Sequence, residues 1–351
     1  MGLMLMVQAN GHHSRLDTPL GHTSSPIFVV GQPRSGSTLL TRILNEAPEL
    51  FVINDFYVLQ KIDAAGLWSP LTSGEAATIA GWIHERIHIR ATETREKTIS
   101  QSIEITDAQL AELAKVVARD WPAGLSWSDV LAQVMEAAAR LSGHQRWGYN
   151  TPQDHLHLDR LFAAFPNARA VFLLREPLGL LRSYKNVSGP WHDARRYNPT
   201  AVGLAWRAAA RSYLRFSRER PEQVMLVRYD DLVRQTSKTF EALSAFLGVR
   251  FPPVDLDALG RNSSLDGGRA RLEVTETEVW LAARPMREEL RALGFADLPA
   301  SFSLRSMPAL AKVYLPSAAF HLRALLFDPD RRRRMLRLWQ SSTGRPKQAE
   351  N

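Results

Sequence analysis

Pro26-Ile-Phe-Val-Val-Gly-Gln-Pro-Arg-Ser-Gly-Ser-Thr-Leu-Leu-Thr-Arg-Ile-Leu44 is the stretch that decides the fold. Its apolar opening, Ile27–Val30, reads as a short buried strand, the glycines bound a turn, and Ser37 opens a helix. Gly31 and Gly36 lie five apart and are followed by Ser37 and Thr38, the frame of a phosphate-binding loop. Such a turn lets successive N–H groups converge at a helix N-terminus, where unsatisfied amides and the macrodipole favour an anion. The lysine expected at Ser37 is missing, and Arg34 stands inside the loop instead. A guanidinium can fork onto two oxygens of a phosphate or sulfonate. Pro33 stiffens the turn, and Ser37 and Thr38 add hydroxyl donors. A cradle that keeps its amides but moves its cation points away from ordinary ATP chemistry.

Outward from this stretch, Ala170–Leu174 and Gln223–Arg228 share the near-continuous apolar character, with Phe51–Ile53 and Arg146–Tyr149 as shorter candidates. Continuous rather than alternating apolar residues suit central strands of a parallel sheet covered on both faces. Helical patterns run over Ser37–Glu46, Gly74–Arg90, Asp107–Arg119, Ser128–Leu141, Gln153–Phe165, Thr200–Arg220 and Ser237–Leu247. Strand and helix alternate, so the fold class is α/β: a three-layer, P-loop-like fold with a central parallel sheet. Residues 63–145 interrupt the alternation with mostly helix and no clear strand, and read as a helical insertion or lid that shapes an acceptor pocket. Residues 250–275, rich in Pro, Gly, Asn, Ser and Asp, read as a long loop. The expected organisation is a flexible leader over residues 1–24, a main domain over 25–300, and a basic helical C-terminal extension over 301–351.

The 351 residues carry 44 Lys/Arg against 36 Asp/Glu, a net charge of +8. This is not a nucleic-acid footprint, because residues 301–351 hold ten of the cations and only three acids, leaving the body close to neutral. The absence of cysteine excludes disulfides, thiolate metal sites and cysteine nucleophiles, and it fits a reducing compartment. No apolar run approaches the ~18 residues of a membrane-spanning helix, so the expected location is cytoplasmic. In the extension, Asp328 before Pro329 reads as a helix start, followed by Arg331–Arg334 with Leu336, Leu338 and Trp339. That run suits either a solvated helix face docked on a partner or a peripheral contact with an anionic membrane or acidic polymer.

A second segment, Arg169-Ala-Val-Phe-Leu-Leu-Arg-Glu-Pro-Leu-Gly-Leu-Leu-Arg-Ser-Tyr184, ends a strand in Arg175 and places Ser183 in the next helix. A strand-end arginine and a serine about two helical turns later can bracket one dianion beside a nucleotide site. Together the two segments resemble the sulfotransferases that use 3′-phosphoadenosine 5′-phosphosulfate (PAPS). Met225-Leu-Val-Arg-Tyr-Asp-Asp-Leu-Val233, then Phe240–Gly248, resembles that family's strand, acidic turn and helix ending in Phe-Leu-Gly. The likeness covers about residues 26–60 and 146–250 and is nearest to the broad bacterial and Golgi-like group. It implies transfer of a sulfuryl group from PAPS, as cosubstrate, to an acceptor hydroxyl of a small molecule, lipid or glycan by in-line displacement, with no metal. It further implies that Arg34, Ser35, Gly36, Ser37 and Thr38 hold the 5′-phosphosulfate and that Arg175 and Ser183 hold the 3′-phosphate. The alternatives are a nucleotide-binding protein with a degenerate site and, against the missing lysine, a P-loop kinase.

Two residues are candidates for the base that takes the acceptor proton. Asp55, in Phe51-Val-Ile-Asn-Asp-Phe-Tyr57, matches the acid that the family places after its second strand, although the same carboxylate could cap the following helix. His155 lies in Trp147-Gly-Tyr-Asn-Thr-Pro-Gln-Asp-His155, which resembles a family element reading Glu-Lys-Thr-Pro. Thr151 and Pro152 make a credible helix start there, but Tyr149 and Asn150 replace the usual acid and lysine. His84 and His88 have chelating spacing without a clustered acid, and Trp147, Trp191 and Trp206 suit core or pocket lining. Arg269 and Arg271, after Gly267-Gly268, could reach a 3′-phosphate as a late family loop does.

Overall fold

The five apolar segments all become strands. β1 (Ile27–Gly31), β2 (Leu50–Ile53), β3 (Arg146–Asn150), β4 (Arg169–Leu174) and β5 (Val224–Arg228) form one sheet in the order β2-β3-β1-β4-β5. Every pairing is parallel, and central β1 sets Ile27 opposite Gly148 on one side and Arg169 on the other. The computed structural model describes residues 25–68, 70–96, 103–186, 197–256, 259, 272–296, 301–328, 332 and 336. The leader over 1–24, most of the 250–275 loop, Trp191, Arg269, Arg271, Arg331, Arg333, Arg334, Leu338 and Trp339 lie outside the described residues.

The helices follow in chain order. α1 (Ser37–Asn45) leaves the phosphate-loop stretch, and α2 (Val58–Ala65) follows β2. The insertion comprises α3 (Ser73–Glu96), α4 (Asp107–Val117) and α5 (Trp127–Leu141). Capping boxes start α4 (Thr106 with Gln109) and α5 (Ser126 with Asp129), each satisfying two otherwise orphaned amides. After β3, the helix expected over Gln153–Phe165 divides into a tight 3₁₀ turn, Pro152–Leu156, and α6 (Leu158–Ala164). Then come α7 (Pro177–Asn186), α8 (Pro199–Glu219), α9 (Tyr229–Arg234), α10 (Thr236–Leu247), α11 (Glu276–Ala283), α12 (Arg287–Ala292) and α13 (Met307–Phe327). α13 precedes the helix start expected at Asp328-Pro329 and runs through Pro316.

Because side chains alternate across a pleated strand, the sheet sorts its residues into two cores. Ile27, Val29, Leu50, Val52, Val171 and Leu173 pack under Leu40, Ile43 and Leu44 of α1 and Leu243 and Leu247 of α10. Phe28, Val30, Phe51, Ile53, Tyr149 and Phe172 face the other way, onto α2, α3, α5 and α6. This is the three-layer arrangement, and burying each such large apolar side chain contributes about 1.5–3 kcal/mol. A third cluster joins Leu174 and α7 to α8 and α11 around Trp206. At the outer strand, Asn45 donates from Nδ2 to Val52 O (2.8 Å) and accepts from Val52 N (2.7 Å), closing the exposed edge of β2.

One buried acid has a measurable consequence. Asp154 is fully enclosed, and burial pushes its carboxyl up to about 8 from an ordinary 3.8. Within that window the folded chain keeps a proton that the unfolded chain releases, so stability falls as pH rises. Going from about pH 6 to about pH 8, the wild type should lose about 2 kcal/mol relative to Asp154→Asn, which keeps every other titrating group. Thermal denaturation of both at the two pH values checks this; parallel losses would mean that Asp154 does not hold its proton.

Candidate functional site

The C-terminal ends of β1 to β5 open onto one edge of the sheet, the place where parallel α/β sheets leave a crevice for ligands. Main-chain bonds stitch these ends together. Thr151 N donates to Val29 O (3.1 Å), Phe56 N to Asn150 O (3.0 Å) and Gln32 N to Leu173 O (3.4 Å).

The loop between β1 and α1 is a tight turn, with Ser35 N donating to Gln32 O at 3.2 Å. Positive φ angles at Arg34 (71°) and Gly36 (96°) fold the backbone around one point. Two glycines are required by contact as well as by angle. A Cβ on Gly31 would stand 2.3 Å from Leu173 O, and one on Gly36 would stand 2.3 Å from Cδ2 of the Tyr229 ring. Gly36 caps α1 without a side-chain bond, so no side chain of the cap competes for the first-turn amides.

Polar groups ring this loop. Asn150 Nδ2 donates to Asn54 Oδ1 (2.6 Å), and Asn54 Nδ2 reaches Thr38 Oγ1 (3.2 Å) and Asp55 Oδ2 (3.4 Å). Four buried atoms around it have no partner: Arg34 Nε, Ser35 Oγ, Asn150 Oδ1 and Arg175 Nε. A donor or acceptor left unmade in the interior costs about 1–3 kcal/mol, so such a concentration points to a ligand that completes them. Burial is the largest influence on the Arg34 guanidinium and lowers it from its ordinary value; Tyr184 and Asp55 support its charge, and Arg175 opposes it.

At the second end, Trp206 Nε1 donates to Arg175 O (3.0 Å), and the Arg175 guanidinium lies 4.2 Å from the centre of the Tyr229 ring. The same ring abuts Gly36, so a single aromatic side chain touches both the Arg34 loop and Arg175. Arg175 Nε sits 2.8 Å from where a Gly179 Cβ would stand, which lays the side chain along α7. Gly179 and the buried Ser183 are four apart and share a helix face, so Arg175 and Ser183 lie along the same side of α7. The N-terminal amides of α7 are already taken, by the Glu176 carboxylate on Leu178 N (2.9 Å) and Gly179 N (2.6 Å). Gln32 Nε2 donates to Tyr184 OH (3.3 Å), tying the loop to α7.

Asp55 caps no helix: α2 starts after Tyr57, and the carboxylate turns to the insertion. Arg90 Nη2 on α3 pairs with Asp55 Oδ2 at 3.1 Å, the Tyr57 hydroxyl donates to Oδ1 at 3.2 Å, and Arg86 Nε donates to Asp55 O at 2.5 Å. Burial, then the Asp55 charge, holds the Tyr57 phenol well above its ordinary range, so it stays a donor. The Asp55 side chain remains 32 % exposed. Thr151 does not cap the 3₁₀ turn as expected; its hydroxyl accepts from Tyr57 N (3.0 Å) instead.

His155 is buried on that turn, and its carbonyl accepts from Ser212 Oγ of α8 (2.9 Å). Burial, with His157 adding to it, holds the ring down to about 3, so it is neutral and a weak proton acceptor near pH 7. Tyr149 stacks on Phe56 (4.7 Å) within the core, and Trp147 and Trp206 are likewise core residues. Among the described residues no group of three or more His, Cys, Asp or Glu could hold a metal, and His84 and His88 stand 6.3 Å apart as rings.

The Arg34 loop, Asp55, Arg175 and Ser183 were visible as sequence signals. Asn54, Arg86, Arg90, Tyr184 and Tyr229 were not. The i, i+4 spacing of Arg86 and Arg90 was the one available hint, because it puts two cations on one face of the insertion helix.

No curated protein matches the chain by sequence. Among solved structures it is similar to the sulfotransferase domain of the Synechococcus PCC 7002 olefin synthase, at 22% identity over 83% of this chain and 96% of that one, with a TM-score of 0.46. The sulfotransferase domain of the curacin biosynthetic pathway is similar at 19% identity over 79% of this chain and 99% of that one, TM-score 0.46. Sulfotransferase STF9 from Mycobacterium avium is similar at 15% identity over 79% of each chain, TM-score 0.45. The model of the sulfotransferase family matches residues 26–253, which hold all five strands and every residue of the crevice named above. By that match, over well more than half of its length, this chain belongs to the sulfotransferase family.

Proposed function

We propose that the chain transfers the sulfuryl group of PAPS to an acceptor hydroxyl on a small molecule, lipid or glycan. The observation that carries this reading is the pair of buried, partnerless guanidinium Nε–H donors, Arg34 and Arg175, in a crevice where the Tyr229 ring touches both the Gly36 turn and Arg175. A nucleotide with an anionic group on each side of its ribose satisfies both. Arg34, the loop amides, Ser35, Ser37 and Thr38 hold the 5′-phosphosulfate, and Arg175 with Ser183 holds the 3′-phosphate. PAPS supplies an activated sulfur: the bond from sulfur to the bridging phosphate oxygen breaks as the acceptor oxygen bonds to sulfur. Arg34 and the loop amides stabilise charge on the departing phosphate, a task suited to fixed donors in a water-poor crevice. Asp55, held in place by Arg90 and Tyr57, takes the acceptor proton.

The direct test is calorimetry with the desulfated nucleotide, followed by an acceptor screen under labelled PAPS. Binding without transfer to any acceptor would return a nucleotide-binding protein, and turnover of ATP with no affinity for the bisphosphate would return a kinase. Once an acceptor is known, Asp55→Asn should lower kcat by about 10²–10⁴-fold with nucleotide affinity unchanged. His155→Ala should change stability more than turnover. The reverse outcome, full turnover in Asp55→Asn and loss in His155→Ala, makes His155 the base.

A further inference from the structure

α13 is docked through a mixed face of Leu310, Val313, Tyr314 and Ser317. Leu310 and Ser317 are buried against the body, Tyr314 OH meets Thr200 Oγ1 at 2.8 Å, and Asn198 Nδ2 donates to Ser317 Oγ at 3.3 Å. The opposite face carries Ala311, Leu315, Ala318, Leu322 and Leu326, all exposed. At spacings of seven and four, Leu315, Leu322 and Leu326 form one stripe along the helix, and they are 70%, 58% and 64% exposed. Phe327 at its end is 77% exposed and Leu304 just before it 76%. A soluble domain ordinarily buries such a stripe, and one left outside marks a contact surface.

The charges around the stripe choose its occupant. From Ser301 to Phe327 the chain has no Asp or Glu, while Lys312 and Arg323, eleven apart, flank one side of the stripe, and the exposed Arg332 follows. A second copy packed on this face would set these cations against their equivalents with no acid on the helix to pair them. An anionic lipid surface accepts both features at once, with leucines at the acyl boundary and cations among the headgroups. Among the described residues no helix is long and apolar enough to cross a membrane, so the fitting orientation is in the plane of the interface.

We infer that Met307–Phe327 is a docking surface for an anionic bilayer, inserting the Leu315–Leu322–Leu326 stripe and holding headgroups with Lys312 and Arg323. The surface uses none of the crevice residues, so the inference stands whether or not the proposed reaction does.

Co-sedimentation of the full chain with vesicles tests it. The wild type should sediment with phosphatidylcholine–phosphatidylserine vesicles and much less with phosphatidylcholine alone. Leu315→Ser, Leu322→Ser and Leu326→Ser together should abolish sedimentation. Lys312→Ser with Arg323→Ser should lower the partition coefficient roughly 25-fold, at about fivefold per cation near an anionic surface. Circular dichroism establishes that each variant is folded, and if the triple variant is not, the charge pair decides. No sedimentation of the wild type, unchanged sedimentation of the folded variants, or a wild-type dimer that the leucine variant converts to monomer overturns the inference.

Discussion

Arg34→Ala is expected to abolish measurable sulfuryl transfer from PAPS while leaving the fold as stable as before. The side chain makes no hydrogen bond through its buried Nε, and it stands close enough to Arg175 for the two charges to oppose each other. Burial outweighs the support that Tyr184 and Asp55 give its charge, so folding gains little from this guanidinium. On the proposed reading its worth appears only when a dianion occupies the loop, and it grows as charge builds on the departing phosphate. Loss of one preorganised donor of this kind lowers kcat by about 10²–10³-fold, or about 3–4 kcal/mol. A charged fork to two phosphate oxygens takes the expected loss to the upper end of that range or beyond. Arg34→Lys should recover only part, since an ammonium supplies a point charge without the planar fork. Labelled-sulfate transfer and thermal denaturation, run side by side, check both halves. Wild-type turnover in Arg34→Ala would remove the loop from the chemistry.

Gly36→Ala should be a damaging single-methyl change that reaches both ends of the crevice. Its φ of 96° disfavours any side chain, which costs about 1–2 kcal/mol. The added Cβ would also lie 2.3 and 2.5 Å from Cδ2 and Cε2 of Tyr229, so the ring must move. That ring is the surface on which the Arg175 guanidinium rests, at 4.2 Å. One methyl group thus disturbs the Arg34 loop directly and the Arg175 end through Tyr229. Affinity for the desulfated nucleotide is expected to fall at least ~100-fold, about 3 kcal/mol, by calorimetry. Gly66→Ala is the control: its φ is 71°, but its Cβ would meet nothing within 4 Å, so it carries the backbone strain with no loss of binding. Equal effects of the two variants would show that backbone strain alone, and not the Tyr229 contact, was responsible.

Much of this architecture is legible in the sequence because buried parallel strands need unbroken apolar runs, and those runs stand out. Ile27–Val30 and Ala170–Leu174 could be little else. The eight residues of α2 give too short a period to register, so Val58–Ala65 went unread. Thr151-Pro152 did announce a helical turn, but whether a threonine hydroxyl caps its own helix or reaches the amide of Tyr57 depends on a neighbour 94 positions away. The Arg34 loop and Asp55 carry local signatures, whereas Tyr229 and Arg90 acquire their places only through tertiary packing. A tyrosine opening α9 and an arginine on a charged helix look like surface residues until the sheet edge brings them to the crevice.

The strand order also constrains how the molecule can be made. β1 lies between β3 and β4, so its two partners arrive only when residues 146–150 and 169–174 have been synthesised. At ~5–20 residues per second, the wholly apolar Ile27–Val30 segment waits roughly 7–30 s on the ribosome before both edges are covered. During that interval it is an open template for other nascent strands, a hazard that slow, long-range parallel pairing brings with it. Among the described strands, the central one that carries the anion loop is the first to be translated and waits the longest for its partners, which makes it a natural client for chaperones that shield exposed apolar segments.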